Sequence, residues 1–344
     1  MDKMVKEANK SVKVLITGAS GFVGSNLLSY FHGKGYETVG WDVANYSKVA
    51  SSVSHSVYID SSNTRFNNTN TALNKTSKTS TPTVKAVNLL DPIEIEKSLE
   101  EFVPDIIIHC AGSADVHKSV QNPSMDYQGN VTITHNLLFT LHKLHMEDVR
   151  FVFPSSAGVY GNPTTLPITE DTPLNPLSPY AVHKVMCEEL CKYFAKNYEM
   201  KVRIARIFSA YGPGLKKQIF WDMHSKYLKT SRLDMFGTGN ESRDYVYIDD
   251  VVQALYILAT VDSYDVIFNV ANGEETTIRN ATEIFAECSG IDFEKISFNG
   301  IVREGEPLNW RADISKIRKL GYNSTITIKH GVEEYIRWLK TMEA

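Results

Sequence analysis

Tyr180 and Lys184, four residues apart in Ser178-Pro179-Tyr180-Ala181-Val182-His183-Lys184, are the pair in this sequence best suited to move a proton. On a helix, positions i and i+4 share a face. The lysine ammonium can therefore stand beside the phenol and stabilise its ionised form, making Tyr180 a general acid/base. Such a pair also arises by chance in many helices, so its partners matter. Ser156 lies 24 residues upstream in Pro154-Ser155-Ser156-Ala157-Gly158, at the mouth of a predicted strand. Parallel sheets bind ligands at such strand ends, and a hydroxyl there can hydrogen-bond a reacting oxygen.

The second constellation opens the chain. A strand over Val12–Thr17 runs into Gly18-Ala19-Ser20-Gly21-Phe22-Val23-Gly24 and then into a helical pattern. Three glycines at a strand-to-helix turn give tight curvature, close backbone approach to a pyrophosphate and helix–strand contact. The pyrophosphate would rest on the helix N-terminus, where unpaired N–H groups and the dipole favour anions. Asp42 ends the next strand, 18 residues past Gly24. A carboxylate there can bond both ribose hydroxyls of NAD and repels a 2′-phosphate, and no arginine follows to welcome NADP.

These residues need a scaffold of alternating strands and helices, the rhythm of βαβ units. Strands are expected at Val12–Thr17, Glu37–Asp42, Val84–Leu89, Asp105–Cys110, Arg150–Pro154 and Lys201–Ile207. Helices are expected at Phe22–His32, Pro92–Phe102, Ser124–His145 and Tyr180–Tyr198. The expected fold class is α/β: a doubly wound parallel (Rossmann) sheet with a smaller C-terminal α/β substrate domain. Residues 11–200 form the NAD-binding domain. Residues 201–344 are mainly substrate-binding, with some strands completing the Rossmann sheet. Residues 44–83 form a Ser/Thr/Asn-rich insertion too poor in apolar residues for a core of its own; it is a surface insertion or a lid or partner contact.

Composition narrows the function classes. A chain of 344 residues, 42% hydrophobic, can bury a full core. With a net charge of −4 and no Lys/Arg run longer than two, it lacks the footprint of a nucleic-acid or membrane-surface binder. No stretch has the ~20 apolar residues of a membrane span, nor does the N-terminus read as a signal peptide. A cytoplasmic protein is expected, and the four cysteines fit a reducing compartment. Cys187 and Cys191 lie one helical turn apart without His or Cys partners at ligand spacing, so no metal site is expected.

Taken in order, five segments resemble the extended short-chain dehydrogenase/reductases, in their nucleotide-sugar epimerase/dehydratase branch of the UDP-glucose 4-epimerase kind. They are Thr17 to Gly24, Pro104 to Gly112, Ser155-Ser156-Ala157-Gly158-Val159-Tyr160-Gly161, Ser178 to Lys184, and Arg243-Asp244-Tyr245-Val246-Tyr247-Ile248-Asp249-Asp250. The resemblance spans roughly Val12 to Leu339 without the polar insertion. It implies NAD as cofactor, a nucleotide-diphosphate sugar as substrate and a homodimer through the helices Ser124–His145 and Tyr180–Tyr198. Tyr180 would be the acid/base, Lys184 would tune it and hold the nicotinamide ribose, and Ser156 would bond the substrate hydroxyl. Asn88 and Leu89 stand where an Asp–hydrophobic pair brackets the adenine, with Asn departing from the usual Asp. Cys110, Ala111 and Gly112 would line the cofactor, and Asn130 would support its nicotinamide end. Arg243 and Arg303 match arginines that clamp the diphosphate; each alone would read as a solvated surface charge. Ser209 stands where many relatives carry Asn, and Trp310 where a bulky residue restricts the sugar pocket.

The branch contains epimerases, dehydratases, decarboxylases and reductases, so the second catalytic group decides. Dehydratases and decarboxylases place acidic residues just after the Ser/Thr; here Ala157 and Gly158 stand there. The cysteine of the double epimerase/reductases is absent from Ala157's position as well. Ser, Tyr and Lys suffice for transient oxidation at C4 of the sugar, so an NAD-dependent 4-epimerase is expected. A net C4 oxidoreductase, or a catalytically silent NAD-binding protein, are the alternatives.

Overall fold

The computed structural model describes residues 11–43, 82–301 and 308–343. Six strands come first: β1 (Lys13–Thr17), β2 (Glu37–Asp42), β3 (Thr83–Ala86), β4 (Ile106–His109), β5 (Arg150–Ser156) and β6 (Val202–Ile207). Together with Ile267–Val270 they form a seven-stranded sheet in the order β3-β2-β1-β4-β5-β6 and then Ile267–Val270, with every neighbouring pair parallel. A parallel sheet covered on both faces needs strands apolar on both sides, and β4, Ile-Ile-Ile-His, is buried at all four positions. Strand alternation then divides the interior. Val14, Ile16, Ile106, Ile108 and Val152 belong to one apolar cluster, and Leu15, Ile107, Phe151 and Phe153 to the other.

Strand order reverses between β1 and β4, which opens a crevice at the carboxyl ends of the strands. The helices that frame it begin where the residue types dictate. α1 (Phe22–Gly33) follows the glycine turn. α2 (Pro92–Glu101) starts with Asp91 accepting from the amides of Ile93 and Glu94, and Pro92 at its first position.

The segment expected as one helix over Ser124–His145 is instead broken into pieces. After α3 (Val116–Gln121) come α4 (Pro123–Tyr127), a π-helical turn over Gln128–Thr132 and α5 (Ile133–Lys143). The wide turn admits an extra residue, and the Asn130 side chain fills it by donating to the Asp126 carbonyl at 3.0 Å. A fourth helix pair partner, α6 (Pro179–Tyr198), is capped by Ser178, whose hydroxyl accepts from Ala181 N. The strand expected over Val84–Leu89 stops at Ala86. Most of the Ser/Thr/Asn-rich insertion, residues 44–81, lies outside the described residues.

Beyond β6 the chain builds small two-stranded pairs facing the crevice. Ser209–Tyr211 pairs with Tyr245–Tyr247, Leu233–Met235 with Ile296–Phe298, and Ser242–Arg243 with Thr276–Thr277. Among the described residues no helix is long and apolar enough to cross a membrane, and no cluster of three His, Cys, Asp or Glu side chains is placed to hold a metal ion.

A buried polar chain ties β1, β4 and α5 together beneath the crevice. His109 Nδ1 lies 2.7 Å from Thr17 Oγ1, and His109 Nε2 lies 3.2 Å from Thr134 Oγ1. Thr134 spends its proton on the Asn130 carbonyl at 2.7 Å, and Thr17 Oγ1 also accepts from Ala111 N. One assignment satisfies every member: Thr17 donates to Nδ1, and Nε2–H donates to Thr134. His109 is therefore neutral, and burial, helped by the Lys184 charge, pushes its pKa down to about 3. The unfolded chain takes up a proton near pH 6.5 that the folded chain refuses, so this group costs stability as pH falls through about 6.5 toward about 3. We expect His109→Asn to remove that loss. Between about pH 7 and pH 5, the variant's unfolding free energy in denaturant titrations should fall by about 2 kcal/mol less than that of the unsubstituted protein. Equal losses would show that His109 protonates in the folded state.

Candidate active site

A cleft of about 1490 Å³ opens between the carboxyl ends of β1, β4, β5 and β6 and the small strand pairs of the second half. A pocket for one small molecule commonly measures roughly 300–1,000 Å³. This cleft is large enough for two ligands side by side.

Its first half is the glycine turn. Gly18 has φ +64°, and a Cβ on it would lie 2.6 Å from Ala111 N. A Cβ on Gly24 would lie 2.1 Å from the Gly18 carbonyl oxygen, which also accepts from Gly21 N at 2.9 Å. Side chains are excluded at both places by backbone. Gly21 caps α1 without a side-chain hydrogen bond, and the first turn carries no acidic residue. The helix therefore presents amide donors and the positive end of its dipole to the cleft, which Gly18, Gly21, Phe22, Val23 and Gly24 line. This cradle fits a dinucleotide pyrophosphate.

The other residues expected to hold the cofactor fall in two groups. Cys110 and Gly112 line the cleft. Asp42, Ala111 and Asn130 stand immediately behind its wall. Asp42 closes β2 and accepts from Ser20 N and Val43 N, each at 2.8 Å, so one carboxylate oxygen is tied to the glycine turn itself. Ala111 backs Gly18, and Asn130 Oδ1 lies 2.8 Å from the Cβ position of Gly112. Asn130 is buried, and its Oδ1 has no hydrogen-bond partner among the described residues. Asn88 and Leu89 follow β3. Asn88 is exposed, with its side chain accepting from Leu90 N, whereas Leu89 is buried in the apolar cluster under the sheet. Neither belongs to the cleft wall.

The residues expected to handle the proton sit where β5 meets α6. Tyr180 and Lys184 are 8% and 7% exposed, and both line the cleft with Ser156. The Tyr180 amide, one of the first N–H groups of α6, donates to Ser119 Oγ of α3 at 3.1 Å. Lys184 Nζ donates to the Pro154 carbonyl at 3.0 Å, lies 4.6 Å from the Phe153 ring centroid and 6.0 Å from that of Tyr180. Ser156 Oγ accepts from Gly158 N at 3.1 Å, which fixes its rotamer at the strand end. Tyr180, Lys184 and Ser156, separated in sequence, thus share one corner of the cleft.

Across from them stand Ser209 and Arg243. Arg243 Nη1 donates to the Ser242 carbonyl at 2.9 Å, and its guanidinium lies 5.8 Å from the Trp310 ring centroid. Trp310 is held by its indole N–H on the Gly161 carbonyl at 3.0 Å. Next to Arg243, the buried Asp244 accepts from the amides of Asn272, Gly273 and Ala312. Burial outweighs those bonds and pushes its pKa up to about 7. Arg303 lies outside the described residues.

Among the described residues two carboxylates line the cleft, and both have other partners. Asp222 pairs with Lys226 at 2.8 Å, and Glu241 accepts from Thr238 N and Gly239 N. Sequence reasoning missed Lys217 and Phe236 in the cleft wall. Lys217 Nζ reaches the Ala114 carbonyl at 2.9 Å, joining the loop after β4 to the second half. The sequence hints that the chain bends back there are the turn residues Gly212-Pro213-Gly214 and the turn-rich stretch Phe236-Gly237-Thr238-Gly239-Asn240.

Comparison with known proteins places this geometry. The NAD dependent epimerase/dehydratase family matches residues 14–271. A putative UDP-glucose 4-epimerase of Methanocaldococcus jannaschii is 30% identical over 333 residues, covering 95% of this chain and 98% of the relative. A dTDP-glucose 4,6-dehydratase of Salmonella typhimurium is 25% identical over 356 residues, covering 95% and 92%. Among solved structures, the UDP-glucuronic acid 4-epimerase of Bacillus cereus, in complex with UDP-glucuronic acid and NAD, superposes with a TM-score of 0.79 at 25% identity, covering 96% of this chain and all of that one. The UDP-glucose 4-epimerase of Thermotoga maritima, with UDP-glucose, shares the fold at a TM-score of 0.81 and 23% identity, covering 97% and 100%. With the glycine cradle, the parallel sheet and the Tyr–Lys corner in place, the chain belongs to the NAD-dependent epimerase/dehydratase family.

Proposed function

We propose that this chain is a cytoplasmic NAD-dependent 4-epimerase of a nucleotide-diphosphate sugar. One observation supports the choice of epimerase over dehydratase: among the described residues no carboxylate stands beside Tyr180, Lys184 and Ser156 without another partner. Ala157 and Gly158 follow Ser156, and the two carboxylates of the cleft wall, Asp222 and Glu241, are engaged elsewhere. Elimination of water from a sugar needs an additional proton acceptor and donor, whereas inversion at C4 needs one residue that takes and returns the same hydroxyl proton.

The roles combine position with the family resemblance, which alone assigns Arg303. Gly18, Gly21 and the N-terminus of α1 hold the pyrophosphate of NAD, Asp42 its adenosine ribose, and Cys110, Ala111 and Gly112 its flank; Asn88 and Leu89 are assigned to its adenine by the family resemblance and not by the cleft wall. Asn130, with its unpartnered Oδ1, and Lys184 hold the nicotinamide end. NAD bound there supplies a reversible hydride acceptor for C4 of the sugar. Tyr180 accepts the C4 hydroxyl proton as the carbonyl forms and returns it to that oxygen once the keto sugar has turned its other face toward the cofactor side, Lys184 stabilises the phenolate in between, and Ser156 donates a hydrogen bond to the C4 oxygen. Arg243, Ser209 and Arg303 hold the nucleotide and sugar. In this reading residues 11–200 serve the cofactor and residues 201–344 mainly the substrate. β6 and Ile267–Val270 complete the shared sheet.

Two further observations support the setting. All four cysteines are free, as suits a reducing compartment. Large apolar side chains are exposed along α4, α5 and α6: Met125, Tyr127, Phe139, Val182, Met186 and Tyr193. Contiguous apolar surface of this kind marks an interface, and we propose a homodimer through these helices. Phe139→Glu combined with Met186→Glu is expected to halve the mass measured by light scattering; an unchanged mass, or a monomer before substitution, would remove the dimer.

Purified protein is expected to release NAD on denaturation and to interconvert C4 isomers of UDP-glucose or UDP-glucuronic acid with no cofactor added. Turnover of either sugar only with stoichiometric NAD or NADH would replace the epimerase by a net C4 oxidoreductase. Bound NAD with no conversion across a wider nucleotide-sugar panel would point to a silent NAD-binding protein. Tyr180→Phe should lower kcat by roughly 100-fold or more while the NAD content of the purified protein stays the same. Near-normal turnover would take Tyr180 out of the reaction.

A further inference from the structure

Beneath the catalytic corner lies an ion pair that the reaction as described does not use. Glu188 is fully buried and Arg206 is 2% exposed. Arg206 Nη2 donates to Glu188 Oε2 at 2.7 Å, and Nε donates to Oε1 and Oε2 at 3.0 and 3.2 Å. The remaining capacity is also committed. Arg206 Nη1 donates to the Tyr160 hydroxyl and the Glu170 carbonyl, each at 2.9 Å, and Tyr160 donates to Asn269 Oδ1 at 2.7 Å. A buried pair costs desolvation that its Coulomb energy rarely exceeds, so one with every partner filled calls for a reason other than stability.

The reason is visible in what Glu188 holds. Ser155 Oγ, 4% exposed residue and all, donates to Glu188 Oε1 at 2.6 Å. One residue before it, the Pro154 carbonyl holds Lys184 Nζ; one residue after it is Ser156. On α6, Glu188 stands one turn beyond Lys184 and two beyond Tyr180, on the same face. The strand end and the helix are therefore joined by two successive rungs, Pro154 to Lys184 and Ser155 to Glu188, and Arg206 of the neighbouring strand β6 locks the second.

We propose that Glu188, clamped by Arg206, and Ser155 are positioning residues that set the distance of Ser156 from Tyr180 and Lys184. Without the second rung the strand end keeps its fold but Ser156 drifts relative to the phenol. A displacement of about 1 Å at a reacting centre costs up to roughly 100-fold in rate. The proposal rests on the roles given above to Tyr180 and Ser156.

Ser155→Ala removes the rung and leaves the Glu188–Arg206 pair intact. The assay follows C4 isomerisation of UDP-glucose and of UDP-glucuronic acid by the purified protein with its own NAD. We expect kcat to fall roughly 10- to 100-fold, with KM within about twofold and with NAD content and thermal midpoint close to those of the unsubstituted protein. Ser155→Thr, which keeps the hydroxyl, is expected to restore most of the rate. Retention of normal kcat by Ser155→Ala overturns the proposal, as does a loss that Ser155→Thr fails to rescue or one matched by a fall in NAD content. If neither sugar is converted, the same comparison is made on the rate at which borohydride-free protein reduces its bound NAD in the presence of each sugar. Failure of the underlying reading looks different: Tyr180→Phe would then remain active, whereas failure of this proposal leaves Tyr180→Phe inactive and Ser155→Ala fast.

Discussion

The close approach of Gly18 to the end of β4 is the constraint on which the rest of the molecule depends. A Cβ at Gly18 would meet Ala111 N at 2.6 Å, so the turn after β1 can press against β4 only because no side chain stands there. That contact brings the first turn of α1 over the point where strand order reverses, and it turns the helix dipole into the crevice. Asp42 completes the arrangement from the far side by accepting from Ser20 N. A larger residue at Gly18 would separate β1 from β4 and with them the two halves of the cradle.

Polar groups do the fine alignment inside a fold whose bulk is set by apolar strands. Under the cofactor half of the cleft, Thr17, His109, Thr134 and Asn130 form a chain of neutral donors and acceptors. Under the catalytic half, Ser155, Glu188, Arg206 and Tyr160 form a charged one. Both chains cross between a strand and a helix that packs on it, which apolar contacts alone would leave free to slide by a fraction of an ångström. Hydrogen bonds have direction and length, so a fully satisfied network admits one register.

How much of this the sequence discloses depends on how local the cause is. The strands β1, β2, β4, β5 and β6 were legible because each is a short apolar run bounded by turn residues. The glycine turn and the Tyr180–Lys184 pair were legible because their spacing is itself the geometry. The break in Ser124–His145 was not: apolar residues such as Val131, Leu137 and Leu141 keep a helical rhythm through the π-turn and beyond it, and the widening rests on one side chain, Asn130, finding a carbonyl four residues back. The end of β3 was also illegible: the strand stops at Ala86 instead of Leu89, leaving Asn88 exposed and Leu89 in the core. Arg206 and Glu188 carry no local mark at all, since a strand and a helix separated by a turn must first pack before the two charges meet.

Asp244 joins stretches of chain that are far apart in sequence. Its carboxylate gathers amides from Asn272 and Gly273 and from Ala312, two segments that enter the substrate wall from different directions. The chain between them reaches the wall at a fixed start and a fixed end, whatever its course in between. Between these ends Thr276–Thr277 pairs with Ser242–Arg243, and Ala281, Phe285 and Ala286 enter the core, so Arg243 is held beside this anchor from both sides. One buried carboxylate thus closes a long excursion of the chain like a clasp, fixing both of its ends at the wall of the cleft.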